Sequence, residues 1–343
     1  MRILVIGAGG FVGGSVSEEL SLQENHEQIA CVRKWASAVR LGRRGIAIEQ
    51  ADLEDASTFP RILAGVDAVI NAAMPPAQRE PELVANLYAA CVRAGVRRFV
   101  QFSSAAVYGN LTGNLDESVA PAPSNEYGRG KAEMERRLSV AAATSKTQVV
   151  ILRPSIVYGP FSDGWTVRYA KRIVTGRWRG LGSAGEGTCN LVHAQDLART
   201  AIAAATSEIP PGVHVLNING PDLVTWNEYI ERLGDALGNP DRIIPNIIRF
   251  RLMAASAELL RKGAAFGWVR SFYRSSAGTT HAVMTNAKGV TSLYPSSSEL
   301  QLLSLKVHYL ADLATHILGV RPSISLEQGL RQSASWCRLH GVV

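Results

Sequence analysis

The chain has 343 residues, more than one ordinary hydrophobic core accommodates, so a large α/β domain with a smaller appended substrate region is expected. With 46% hydrophobic and 19% charged residues it is not a disordered chain, and no run of 18 apolar residues offers a membrane span. The net charge of +7 favours anionic partners; phosphates of a cofactor or small-molecule substrate satisfy it, whereas scattered arginines without an interleaved aromatic motif give no support to nucleic-acid binding.

Residues 3–6 read as a buried first strand, and the glycines that follow interrupt the apolar run that could otherwise imitate a signal peptide. Gly7-Ala8-Gly9-Gly10-Phe11-Val12-Gly13 then opens a helical pattern. Glycines in that context permit a tight turn and a close approach of backbone N–H groups to a pyrophosphate, which the helix N-terminus also attracts. A second strand over 29–33 ends at Arg33-Lys34 instead of at an acidic residue that would hold a ribose hydroxyl, so NADP is preferred over NAD. Asp52-Leu53 after a third strand (47–49) is placed to face the adenine, and Asn71-Ala72-Ala73 after a fourth (68–71) to line the dinucleotide with small side chains.

Leu83, Leu87, Ala90 and Cys91 recur at helical spacing over 82–94, and an apolar strand over 98–103 ends at Ser104. Tyr127 and Lys131 lie four residues apart on the next helix and so share a face. An ammonium beside a phenol favours the phenolate and turns tyrosine into a usable acid/base, while Ser104 is suited to hydrogen-bond the same substrate oxygen. Strands over 149–153 and 190–193 follow, with Pro154 and Ile156 after the former. His193 with Asp196 three residues on is read as structural hydrogen bonding, Asp116-Glu117 as a solvated turn, and Arg177 and Arg179 flanking Trp178 as positive surface.

The alternation of strands and helices predicts a doubly wound parallel sheet of Rossmann type over 1–160. Residues 161–343 form the substrate-binding region, with a segment near 188–220 returning to the sheet through a strand at 213–218, and a helix over 226–237 follows. A Pro-punctuated stretch, 240–245, precedes a basic amphipathic helix over 247–262, read as packed on the substrate lobe with peripheral membrane docking as the alternative. The Ser/Thr/Gly-rich stretch 275–298 reads as a loop or lid. Cys31, Cys91, Cys189 and Cys337 lack metal-ligand spacing, which predicts buried reduced thiols, no metal and a cytoplasmic chain; a homodimer is the expected assembly.

Together these motifs resemble those of the extended short-chain dehydrogenase/reductases, the NAD-dependent epimerase/dehydratase family. Residues 7–13 look like its cofactor turn, although Ile6 stands where threonine is usual. Ser103-Ser104-Ala105-Ala106-Val107-Tyr108-Gly109 is similar to its serine segment, Tyr127-Gly128-Arg129-Gly130-Lys131 to its Tyr/Lys pair, and Arg153-Pro154-Ser155-Ile156-Val157-Tyr158-Gly159-Pro160 to the segment beside the nicotinamide. Val192-His193-Ala194-Gln195-Asp196 and Leu318-Gly319-Val320-Arg321-Pro322 look like its later signatures. The resemblance implies Ser104, Tyr127 and Lys131 as catalytic residues, NADP or NAD as cofactor, and a structural or proton-relay role for Asn86. It implies an oxidoreductase or epimerase acting on a secondary alcohol or ketone, with a nucleotide-linked sugar as the first reading of the substrate. Ala105 and Ala106, where dehydratases and decarboxylases carry an acid, set those reactions low; Ile156 in place of an asparagine leans towards reductases resembling 3β-hydroxysteroid dehydrogenase. A non-catalytic NAD(P)-binding sensor is the alternative from another class, and the retained Ser, Tyr and Lys argue against it.

Overall fold

The computed structural model describes residues 1–176, 178, 181–239 and 295–343. The sequence expectations for 240–245, 247–262 and most of 275–298, and for Arg177 and Arg179, lie outside the described residues. The chain begins β1 (Arg2–Ile6), α1 (Phe11–Leu20), β2 (Glu27–Val32), α2 (Val39–Gly42), β3 (Ile48–Gln50), α3 (Phe59–Ile62), β4 (Ala68–Asn71), α4 (Glu80–Arg93) and β5 (Arg98–Phe102). It continues through β6 (Gly113–Leu115), α5 (Glu126–Ala142), β7 (Gln148–Pro154), β8 (Ile156–Tyr158), α6 (Arg168–Val174), β9 (Thr188–His193), α7 (Ala194–Thr206) and β10 (Val213–Ile218). The remaining described elements are β11 (Leu223–Thr225), α8 (Trp226–Ala236), α9 (Ser297–Ser304), β12 (Val307–Tyr309), α10 (Asp312–Leu318) and α11 (Leu326–Leu339).

Seven strands form one parallel sheet in the order β3-β2-β1-β4-β5-β7-β10. The inner strands are mainly apolar on both faces, as a sheet covered by helices on both sides requires. Ile3, Val5, Ala30, Val32, Ile70, Val100 and Leu152 point to the side where Val16 and Leu20 of α1 and Leu197, Ala201 and Ile202 of α7 pack. Leu4, Ile6, Val69, Phe99 and Ile151 point to the opposite side, under Val84, Leu87 and Tyr88 of α4 and Met134 and Leu138 of α5. Each fully buried aliphatic side chain contributes about 1.5–3 kcal/mol of transfer free energy, so the two layers supply the bulk of this unit's stabilisation. The expected Rossmann-type doubly wound sheet is therefore present.

Strand order reverses between β1, which is followed outward by β2 and β3, and β4, which starts the other half. Ile6 and Asn71 are register partners, so the turns leaving β1 and β4 start side by side at the crevice where such sheets bind ligands. The sequence placed 190–193 among the strands of the parallel sheet; β9 instead pairs in parallel with β8, Leu191 opposite Ile156, in a separate small sheet. The return to the main sheet is made by β10 alone, against β7.

The chain divides into two compact units. One comprises Met1–Gly159, Asn190–Asp222 and Val307–Leu326 and contains the seven-stranded sheet. The other comprises Pro160–Cys189, Leu223–Lys306 and Glu327–Val343. Its described part is built around stacked and edge-on aromatics: Tyr169 against Trp226 (5.8 Å), Trp178 (5.2 Å) and Tyr229 (5.9 Å), with Trp165 on Trp226 (5.7 Å). Within it Arg172, 1% exposed, pairs with Glu299 at 2.5 Å and lies 4.2 Å over the Trp178 ring, so its buried charge is compensated twice.

Candidate active site

All of the candidate residues lie in the sheet-bearing unit, at or beyond the carboxyl ends of its strands. Gly7 leaves β1 with φ +77°, and a Cβ there would sit 2.5 Å from the Ala73 nitrogen and 2.7 Å from the Ala72 carbonyl carbon, so only glycine lets the two turns touch. Asn71, fully buried, shapes the second turn: its Oδ1 accepts the Ala73 N–H (3.2 Å) and its Nδ2 donates to Gln101 Oε1 (2.7 Å). Gly9 lies against Ser37, and Gly10 caps α1 with its backbone only. The first turn of α1, which includes Phe11, Val12 and Gly13, holds no acidic side chain and receives no side-chain cap. Its free N–H groups and dipole are therefore available to an anion, and this donor set fits a dinucleotide pyrophosphate.

Arg33 and Lys34 are exposed just beyond β2, and Asp52 and Leu53 are half-buried just beyond β3, where Asp52 Oδ1 accepts the Glu54 N–H at 3.1 Å. On the other half of the sheet, Pro154 ends β7 buried and Ile156 begins β8 half-buried.

Ser104 follows β5 and caps a short turn of helix over Ala105–Tyr108, its Oγ accepting the Ala106 N–H at 3.1 Å. Using the oxygen as acceptor leaves the hydroxyl proton to donate to a ligand. Asn125 caps α5 by accepting the Gly128 N–H at 2.8 Å. A Cβ at Gly128 would stand 2.5 Å from the Ala106 carbonyl oxygen, and this close approach brings Tyr127 beside the turn that Ser104 opens. Tyr127 is 39% exposed, whereas Lys131, one turn on, is buried. The Lys131 ammonium lies 5.7 Å from the centre of the Tyr127 ring. Tyr127 and Lys131 thus share one face of α5, next to the turn that Ser104 caps.

Beneath them runs a buried polar network. The Ser103 hydroxyl donates to Glu135 of α5, whose carboxylate takes Arg153 Nη2 at 2.6 Å and Nε at 3.0 Å. Arg153 Nη1 donates to the Tyr108 hydroxyl (2.8 Å), which donates to Asn217 Oδ1 of β10 (2.8 Å). Burial pushes the Tyr108 phenol upward, against the pull of Arg153. Glu117, expected on a solvated turn, instead accepts the Asn217 N–H at 2.7 Å, and burial raises its carboxyl above the usual range. The network ties β5, α5, β7 and β10 together directly under the serine turn.

Sequence reasoning missed Glu80. Its carboxylate accepts the Lys131 ammonium at 2.6 Å, and Lys131 also donates to the Phe102 carbonyl at 3.0 Å. Asn86, expected in the supporting role, is exposed on α4, six residues from Glu80. A helix start at Glu80 with Pro81 in the first turn was the available signal, but helical periodicity becomes visible only from Leu83. His193 and Asp196 are structural: His193 Nδ1 accepts the Gln195 N–H (3.3 Å), and Asp196 Oδ2 accepts those of Ser323 (2.9 Å) and Ile324 (2.8 Å). Burial holds the His193 imidazole down at about 4, so the ring is neutral near pH 7. The four cysteines are free and buried, and burial carries Cys31 up to about 11 and Cys91 to about 12.

This sheet, glycine cradle and Ser/Tyr/Lys cluster define a nucleotide-cofactor enzyme fold, and the chain belongs to the NAD dependent epimerase/dehydratase family, whose model matches residues 3–218. The chain is 26% identical to a UDP-glucose 4-epimerase of Vibrio cholerae over 260 residues, 71% of this chain and 78% of that protein. It is 27% identical to a 2-alkyl-3-oxoalkanoate reductase of Stenotrophomonas maltophilia over 282 residues, covering 76% and 83% of the two chains. Its fold is similar to that of a UDP-glucuronic acid 4-epimerase of Bacillus cereus solved with UDP-glucuronic acid and NAD, at TM-score 0.75 and 18% identity over 99% of this chain and 100% of that one.

Proposed function

We propose that the protein is an NAD(P)-dependent epimerase or oxidoreductase that acts on a secondary alcohol or ketone of a nucleotide-linked sugar, with Tyr127 as acid/base. The reading is carried by Tyr127 and Lys131 on one face of α5, next to the turn that Ser104 caps, in the same unit as a helix N-terminus without a side-chain cap. The nicotinamide ring, when bound, supplies and accepts hydride. Ser104 donates to the substrate oxygen, Tyr127 gives or takes the hydroxyl proton, and Lys131 holds cationic charge beside the phenol. Gly7, Gly9, Gly10, Phe11, Val12 and Gly13 would hold the pyrophosphate; Asp52 and Leu53 would face the adenine, Ala72 and Ala73 would line the dinucleotide, and Lys131, Pro154 and Ile156 would lie on the nicotinamide side.

Arg33 and Lys34, exposed where the adenosine ribose would lie, favour NADP over NAD. Arg33→Ala and Lys34→Ala are each expected to weaken NADP binding by about tenfold, the scale of one lost charge-assisted hydrogen bond, and to leave NAD binding unchanged. Equal losses for both dinucleotides, read by fluorescence titration, would contradict the NADP assignment.

Incubation with UDP-hexoses and either dinucleotide, followed by product separation, tests the reaction. Interconversion of 4-epimers without net change in NAD(P)H absorbance is expected. Stoichiometric NAD(P)H consumption with a long-chain ketone and none of this interconversion would favour the second reading, a reductase for hydrophobic substrates. That reading draws on the half-buried Ile156 and on the likeness to the Stenotrophomonas maltophilia reductase. It keeps the same three side chains and exchanges only the substrate.

A further inference from the structure

We infer that Glu80 is a positioning residue for the Tyr127–Lys131 pair: it clamps the Lys131 ammonium, offsets its charge and so sets the pH range in which the phenol works. The inference rests on Tyr127 being the acid/base and deepens that reading. The contact is 2.6 Å long with side-chain exposures of 4% for Lys131 and 1% for Glu80, so solvent does little to screen it.

The path from β4 to α4 delivers the carboxylate to this spot. The backbone turns back at Pro76, whose carbonyl accepts the N–H groups of Arg79 (2.9 Å) and Glu80 (3.0 Å). It then runs so close over α5 that a Cβ at Gly130 would stand 2.5 Å from the Ala77 carbonyl oxygen. Gln78 adds a hydrogen bond to Glu126 at the first position of α5. Three consecutive residues of the crossing, Ala77, Gln78 and Arg79, are thus fixed immediately before Glu80, which enters the first turn of α4 where a carboxylate suits the helix dipole.

Two of the three ammonium protons of Lys131 are taken, by Glu80 and by the Phe102 carbonyl, which leaves one for a ligand hydroxyl. With the carboxylate in contact, the phenol senses an ion pair and not a lone cation. The field of such a pair falls off faster with distance than that of a single charge, so the stabilisation of phenolate is reduced. Other charges on the surrounding elements are engaged elsewhere: Arg79 leans towards Glu54 and Glu82, Glu126 is held by Gln78, and Glu135 is bound by Arg153. Arg129, on α5, is exposed, and Tyr108, on the serine turn, is a buried phenol bonded to Arg153. Glu80 is the carboxylate in direct contact with the ammonium.

Glu80→Gln separates charge from geometry, because the amide oxygen still accepts from Lys131 while the negative charge is gone. In an ultraviolet titration of tyrosinate, with Tyr127→Phe as the reference that isolates this phenol, the variant's midpoint is expected about one pH unit below that of the parent protein. The acidic limb of kcat/KM should move the same way. An unchanged or raised midpoint in a variant with native far-UV circular dichroism overturns the inference, because a purely structural clamp would not lower it. Should Glu80→Gln not fold, Glu80→Gln with Lys131→Met leaves no unpaired buried charge. A midpoint within about half a unit of the parent then supports compensation, and any larger shift refutes it. The titration needs no substrate, so a chain inactive on every sugar nucleotide would sink the reaction assignment while leaving this measurement decisive.

Discussion

Tyr127→Phe is expected to lower kcat by about 10²–10⁴-fold while cofactor affinity stays as it was. The loss is that of a positioned proton donor and acceptor: phenylalanine keeps the ring and its place on α5 and removes only the oxygen. Because the side chain is 39% exposed and α5 is anchored by the Asn125 cap, the deletion costs the fold little. Cofactor affinity should persist, since the glycine cradle lies on β1 and α1 and draws nothing from Tyr127. Product formation measured alongside dinucleotide fluorescence separates the two quantities. Retention of more than about a tenth of the turnover would remove Tyr127 from the chemistry.

Glu135→Ala is expected to destabilise the protein by about 3–5 kcal/mol, the usual cost of stranding one member of a buried ion pair. Arg153 and Glu135 are 5% and 6% exposed at the side chain and meet through Nη2 at 2.6 Å, so the orphaned guanidinium would be left inside the fold without a carboxylate in contact. Ser103 would lose its acceptor as well, which loosens the segment that presents Ser104. Replacing both members by apolar residues of similar volume, Glu135→Leu with Arg153→Met, should recover much of the loss because no charge is then stranded. Urea unfolding of the three proteins reads the difference, and a single variant as stable as its parent would show that the pair contributes nothing net.

What the sequence disclosed followed from how local each signal is. The turn after β1 was legible because strand, glycines and helix are contiguous, and Tyr127 with Lys131 because four residues on a helix fix a shared face. Pairing between distant segments was not: nothing in residues 188–193 announces that they lie beside Ile156 and not in the main sheet. The same holds for Glu117, whose loop composition reads as solvated although Asn217 of β10 reaches it across the fold. That Asn86 was named for a supporting role while Glu80 went unnoticed has a physical root too. Residues on a helix can be ranked by side-chain chemistry, but which face meets α5 depends on the crossing at Ala77 and Gly130, and that is set by packing between segments far apart in the chain.

The sheet-bearing unit is discontinuous, drawn from Met1–Gly159, Asn190–Asp222 and Val307–Leu326. Ala314 and Leu318 of its last stretch sit in the same apolar layer as Ile3 and Val5 of its first, and the backbone at Ser323 and Ile324 is tethered to Asp196. The apolar layer on β1 is therefore completed only when residues 314–324, far along the chain, are in place, a long-range closure of the kind that slows folding and leaves apolar surface bare meanwhile. Scission in the intervening stretches would yield fragments that stay interlocked, so limited digestion followed by native chromatography should recover them as one particle.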